Sequence, residues 1–317
     1  MSHTSTPTRF IGLDIHKYYL VAIGVDKDMN QVLGSVKVRW AEFESWVQRH
    51  LTPDDAVIIE MTTNTWEVHD LLVQYVHSVT VVHPPHVKLI VRAQAMTDTK
   101  AALVLAKLHA AGLLPGIWVP TPEVRELRAL TSQRDKMRRL TAIAKNRLQN
   151  ILHRHHIVAP KGHLFAAKNA DFWESLDLSS AEKCVMHSDL ATLAFAEEQK
   201  TLLEKELSLL AAQDDRVPLL IQLPGLGLLT AMNVLAAIGE IERFPTSKKL
   251  VGYAGLYARY HQSGERYTSG RLVSMGRRDL RWAMVQAAIH ASRHHGIRLQ
   301  AVGGQAGRRI GGRLHHR

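Results

Sequence analysis

Phe10-Ile11-Gly12-Leu13-Asp14-Ile15-His16-Lys17 is an apolar run broken by one carboxylate. Ala56-Val57-Ile58-Ile59-Glu60-Met61 repeats the pattern. Runs of this kind read as buried strands. An ionised carboxylate at a buried strand end is costly unless it has a partner. One divalent cation partners several acids at once, and magnesium prefers oxygen ligands while keeping waters for chemistry. Asp98 is the third spaced acid of the first hundred residues. Acids held on neighbouring strands are how a phosphodiester-cutting metal site is built.

Working outward, strands are expected at Phe10–Ile15, Tyr19–Val25, Val32–Val38, Val57–Met61 and Val79–His83, and helices at Ala41–His50 and Glu67–Val76. The first three strands lie close in sequence, with turn signals at Asp26–Asn30, so they read as an antiparallel meander. Helices between the later strands imply crossovers and parallel pairing. A meander followed by alternating helices and strands is a ribonuclease H-like order.

Between Thr121 and Ala212 the period changes. Leu130, Met137, Ala144 and Ile151 recur every seven residues, and Leu203, Leu207 and Leu210 share one helical face. Two long helices packed as an antiparallel hairpin, or across a dimer, fit this spacing. Pro160, Gly162 and the polar stretch around Asp171–Ser180 form the expected connection. Farther on, Leu223-Pro224-Gly225-Leu226-Gly227-Leu228 reads as a glycine-bracketed turn entering a helix. Backbone N–H groups at such a helix start suit phosphate. The turn resembles a helix-hairpin-helix motif, and a plain helix–helix turn fits it as well.

The chain has 317 residues, a formal net charge of +11 and a single cysteine, Cys184. That excludes an intrachain disulfide and a cysteine-rich zinc site, and suits a reducing cytoplasm. No apolar run has membrane-spanning length, and the first residues lack a signal-peptide pattern. From Arg243 to Arg317 there are fifteen Lys/Arg against two acids, so the rest of the chain is slightly acidic. A second basic zone, free of acids, runs from Lys136 to Ala170 and includes Arg138, Arg139, Lys145 and Arg147. Two basic zones beside an acid set point to a nucleic-acid partner.

These features resemble the DEDD-type bacterial insertion-sequence transposases of the IS110 family. The resemblance is carried by Gly12-Leu13-Asp14-Ile15-His16-Lys17, Glu60, Thr97-Asp98 before Ala102-Leu103-Val104-Leu105-Ala106, and Leu223-Pro224-Gly225-Leu226-Gly227. Lys249-Leu250-Val251-Gly252-Tyr253-Ala254-Gly255-Leu256 and Ser263-Gly264 complete it, and it runs from about Arg9 to Ser292. It implies an α/β plus α protein: a RuvC/ribonuclease H-like DEDD domain at 1–120, a helical coiled-coil linker at 121–214, and a mostly helical transposase domain at 215–317. It further implies magnesium held by Asp14, Glu60 and Asp98, and Ser263 as a nucleophile that joins covalently to DNA. The resemblance also implies a structured guide RNA that sets specificity by base pairing. A homo-oligomer, dimer or tetramer, is expected because a recombinase must hold two duplexes and the helical middle offers a pairing surface. Arg259, Arg266 and Arg271 flank Ser263 and suit phosphates, as do Gly225 and Gly227.

Two departures stand out. The family places a fourth acid three residues after the position of Asp98, where this chain has Ala101. From about 296 onward, Gly296, Gly303, Gly304, Gly307, Gly311 and Gly312 lie among arginines without helical periodicity. That reads as an altered end or as a basic RNA-binding tail. Competing expectations are therefore a branched-DNA endonuclease that needs the acids but no serine, and a non-catalytic nucleic-acid-binding remnant. His16, His83 and His86 lie near the acids but are set aside, because magnesium prefers oxygen. His153, His155 and His156 lack the second pair of ligands that a zinc site needs.

Overall fold

The computed structural model describes residues 6–90, 97–264, 266–273 and 275–294. The chain divides into two compact units, Met1–Val119 and Pro120–Arg317. The first contains β1 (Arg9–Ile15), β2 (Tyr19–Val25), β3 (Gln31–Arg39), α1 (Phe43–His50), β4 (Asp55–Glu60), α2 (Thr65–Leu72), β5 (Ser78–Val82), α3 (Pro84–Ile90) and α4 (Asp98–Ala110). Its five strands form one sheet in the order β3-β2-β1-β4-β5. The first three strands pair antiparallel, and β4 and β5 run parallel to β1. Each strand falls within two residues of its sequence-based position. The helix expected from Ala41 begins at Phe43, after a single tight turn at Trp40–Glu42.

Strand alternation builds three layers. Ile11, Leu13, Leu20 and Ala22 face α1 and α2, packing with Phe43, Trp46, Val47, Val68 and Leu72. On the other face Val21 and Ile23 meet Ala102 of α4, and Ile58 and Val82 meet Leu105. The approach of α4 is close because Gly12 has no side chain. A Cβ there would lie 2.1 Å from the Ala102 carbonyl oxygen and 2.7 Å from the Ala106 nitrogen. At the far end of the sheet, fully buried Asp55 accepts two hydrogen bonds from Arg9, each 2.6 Å, and one of 2.7 Å from the Thr52 N–H. That carboxylate is satisfied, which is the condition for burying one.

The second unit opens with α5 (Pro122–Arg154), α6 (Ala170–Glu174) and α7 (Ser180–Ala211). The Thr121 and Ser179 side chains cap α5 and α7, the latter in a capping box with Glu182. Arg134 pairs with Glu204, Lys145 with Glu197, Arg147 with Asp189 and His155 with Glu182. Partner numbers fall as α5 numbers rise, so the helices are antiparallel. Met137, Ala144 and Ile151 are buried, while Leu130 packs beside Leu207 and Met232. The seven-residue stripe is thus occupied within the chain. The connection is more than a polar loop: α6 buries Trp173, and Phe165 stacks on it at 5.9 Å.

Beyond the hairpin lie α8 (Arg216–Ile221), α9 (Leu228–Ile238), α10 (Ser247–Ala254), β6 (Ala258–Ser263), β7 (Arg266–Leu272) and α11 (Arg278–His294). The antiparallel β6–β7 pair adds a small sheet to a region read as mostly helical. The atypical tail from 296 lies outside the described residues.

Two tests follow from the α4 contact. Gly12→Ala forces α4 off the sheet and lowers stability by about 1–3 kcal/mol, read from urea unfolding. His109 of α4 stands edge-on to Phe10, with Nε2 buried and unbonded, and burial lowers its pKa to about 4. The folded state therefore resists protonation that the unfolded chain accepts near pH 6.5. Stability is full above that pH and falls by roughly 2–3 kcal/mol as pH drops toward 4. His109→Phe should flatten this part of the pH–stability curve.

Candidate metal centre

Asp14 is the penultimate residue of β1, on the face opposite Ile11 and Leu13. The packing of α4 on Gly12 brings the first residue of that helix, Asp98, to the same end of the sheet. Thr97 fixes the helix start by accepting a hydrogen bond from the Lys100 N–H. His16 follows two residues after Asp14, and its N–H bonds the Tyr19 carbonyl across the β1–β2 turn. Its Nε2 lies 3.1 Å from Asp14 Oδ2 and 3.3 Å from Asp98 Oδ2. Tyr19 donates its hydroxyl to Asp98 at 2.9 Å, with Lys37 Nζ 3.6 Å from the centre of its ring.

One donor atom each from Asp14, His16 and Asp98 lies within 4.8 Å of the other two. Burial raises the Asp14 pKa, the Asp98 charge raises it further, and His16 opposes both. Two carboxylates crowded in this way gain from a shared cation, so the residues fit a divalent metal. The Asp98 side chain is 45% exposed, which leaves the group open to a large ligand. Among the described residues no other cluster of His, Cys, Asp and Glu meets the same test.

Glu60 ends β4 and lies outside this group of three. Leu13 pairs with Ile59, so the register carried one residue further sets Asp14 beside Glu60. Alternation also puts Glu60 on the face of Ile58, the α4 side. Ala101 sits one turn after Asp98 and supplies only a methyl group. His16 is the residue that sequence reading passed over. The available signal was the strand period of two, which carries positions 14 and 16 to one side.

The four hairpin residues expected to meet nucleic acid are each engaged with an acid. Arg138 and Arg139 both hold Asp135, and Arg138 also lies over the Trp282 ring. Lys145 and Arg147 tie α5 to α7. Gly225 has φ +86° and touches α11 so closely that a Cβ would lie 2.1 Å from the Ala287 carbonyl oxygen. Packing therefore accounts for that glycine. Gly227, at the N-cap of α9, faces open space. Ser263 ends β6 and pairs in register with Arg266. The side chains of Ser263, Arg259, Arg266 and Arg271 lie outside the described set.

The mixed α/β sheet with its helices is consistent with a RuvC-like DEDD transposase domain. Two family models match the chain: the IS110 DEDD transposase over residues 11–157, and "Transposase IS116/IS110/IS902 family" over 217–302. The chain is 24% identical over 295 residues to the transposase for insertion sequence element IS1111A of Coxiella burnetii, covering 90% of this chain and 78% of that protein. It is 26% identical over 294 residues to the pilin gene-inverting protein of Moraxella bovis, covering 89% and 83%. The chain belongs to the IS110 family of DEDD transposases, proteins of insertion sequences that act on DNA. No helix of the described residues is long and apolar enough to cross a membrane.

Tyr19→Phe removes the hydroxyl that holds Asp98. Residues that orient a ligand in this way typically contribute tenfold or more to affinity. Calorimetric titration with manganese should show about a tenfold weaker site, with an unchanged circular dichroism spectrum.

Proposed function

We propose that this protein moves a mobile element by RNA-guided, magnesium-dependent cleavage and rejoining of DNA through Ser263. The observation that carries this reading is the convergence of Asp14 and Asp98, with Glu60 one register step away, at one end of the sheet. These three acids are the proposed metal ligands, and a bound magnesium supplies charge to polarise a scissile phosphate. Tyr19 and His16 hold the acids in place. Ser263 exchanges one phosphodiester for another, so the energy of the bond is kept for rejoining. A protein named for inverting a pilin gene supports rejoining over simple hydrolysis, since inversion needs sealed ends.

In this reading residues 1–120 are the acid-bearing domain, 121–214 the linker, and 215–317 the serine-bearing domain, working in the cytoplasm. Arg259, Arg266, Arg271 and Gly227 approach phosphates, while Gly225, packed on α11, shapes the turn that presents Gly227. Arg139 and Arg147, 70% and 58% exposed, exchange their acid partners for the nucleic-acid backbone, as Arg138 and Lys145 do less freely. Two duplexes call for a homo-oligomer. Phe195, Leu202 and Leu209, exposed at seven-residue spacing on α7, offer the seam that the buried stripe does not. Ala101 favours a second reading, a remnant that binds nucleic acid without cutting it.

Purified protein, magnesium, the RNA encoded beside its gene and labelled DNA carrying the element's joined ends decide between them on a denaturing gel. A covalent adduct lost in Ser263→Ala is the expected result. An adduct seen only in Ala101→Asp, or none with nucleic acid still bound in a salt-sensitive way, favours the remnant. Cleavage that survives Ser263→Ala would point to the branched-DNA endonuclease.

A further inference from the structure

We infer that His16 is itself a metal ligand through Nε2, standing in for the carboxylate absent at Ala101, and that it turns the site's preference from magnesium toward manganese. This rests on the reading of Asp14 and Asp98 as ligands.

Geometry is the first support. Donors bound about 2.1 Å from an octahedral ion sit about 3 Å apart along each edge. The His16 nitrogen lies 3.1 and 3.3 Å from the two acid oxygens. An ion can therefore enter with small side-chain shifts, and the contacts that now link the three groups become edges of its coordination shell. Preorganisation is the second support. The His16 ring packs against Tyr19, with centroids 4.7 Å apart, and Tyr19 is itself bonded to Asp98. The Trp40 Nε1–H bonds the backbone carbonyls of His16 and Lys17. Little rotamer freedom is left for metal binding to remove.

Donor chemistry supplies the preference. Ala101 follows Asp98 by one turn on the same stretch of α4, so a carboxylate there would add an oxygen donor near Asp98. With alanine in that position, the nearest replacement donor in the group is a nitrogen. Carboxylate, carbonyl and water suit both magnesium and manganese, but manganese belongs to the first-row series whose ions accept imidazole nitrogen, and magnesium does not. An O,N,O set therefore binds manganese more tightly than magnesium, while still accepting magnesium when it is abundant.

Pulsed electron paramagnetic resonance of the full chain loaded with manganese chloride reads the bond directly. Nitrogen-14 modulation of a directly bound imidazole is expected in the unaltered protein. It should vanish in His16→Gln, which still binds manganese but about tenfold more weakly. His16→Asp should need about tenfold less magnesium to displace manganese than the unaltered chain does. Histidine labelled with nitrogen-15 in the unaltered protein, together with His16→Asn, keeps the test decisive if the glutamine variant misfolds. Bound manganese without nitrogen coupling, or coupling that survives in the His16 variants, overturns the inference and leaves the acid site standing. No manganese bound at all overturns the acid site as well.

Discussion

The contact on which the first unit depends is made by an absent side chain. Gly12 lets the backbone of α4 settle on β1, with the Ala102 carbonyl and Ala106 N–H inside the space a Cβ would fill. Close packing of this kind leaves no slack, so the distance from α4 to the sheet is set there. Asp98 starts the same rigid helix, and its distance from Asp14 is set with it. The second unit repeats the device: Gly225 meets Ala287 and Ala291 of α11 at nearly the same separations. In both cases two small residues four apart on a helix receive a glycine.

Two aspartates on neighbouring strands show how the fold separates structure from chemistry. Asp55, at the start of β4, is saturated by Arg9 and Thr52 and has no capacity left for a ligand. Asp14, near the end of β1, has an imidazole and a second carboxylate for company, and burial resists its ionisation. A part-buried carboxylate held beside a second acid is a standing cost to stability. Natural folds retain such a cost where something binds.

Much of this was legible in the chain. Strands β1, β2 and β4 were readable because buried strands leave apolar runs, and β3 because Val36 and Val38 alternate with exposed Lys37 and Arg39. The hairpin was readable because Met137, Ala144 and Ile151 keep a helical period that their burial explains. His16 was not, since ligand preference for oxygen argued against it while only the strand period argued for it. The α6 turn was hidden because its apolar anchors, Leu164-Phe165 and Phe172-Trp173, are two pairs too short to set up a helical period. The β6–β7 pair was hidden because Arg, Tyr, Ser and Gly alternate there without an apolar face. Polar strands of a two-stranded sheet lack the signal that sequence reading depends on.

The hairpin has a mechanical consequence. Its first helix has 33 residues, about 50 Å of rod. Four cross-links join the rods at positions 134, 145, 147 and 155, each to an acid on the opposite helix. Sliding one rod past the other by a single turn, about 5.4 Å, would break all four links together and lift the apolar stripe out of its seat. The hairpin is therefore stiff against shear, and a load applied to one end is transmitted to the other instead of being absorbed along its length.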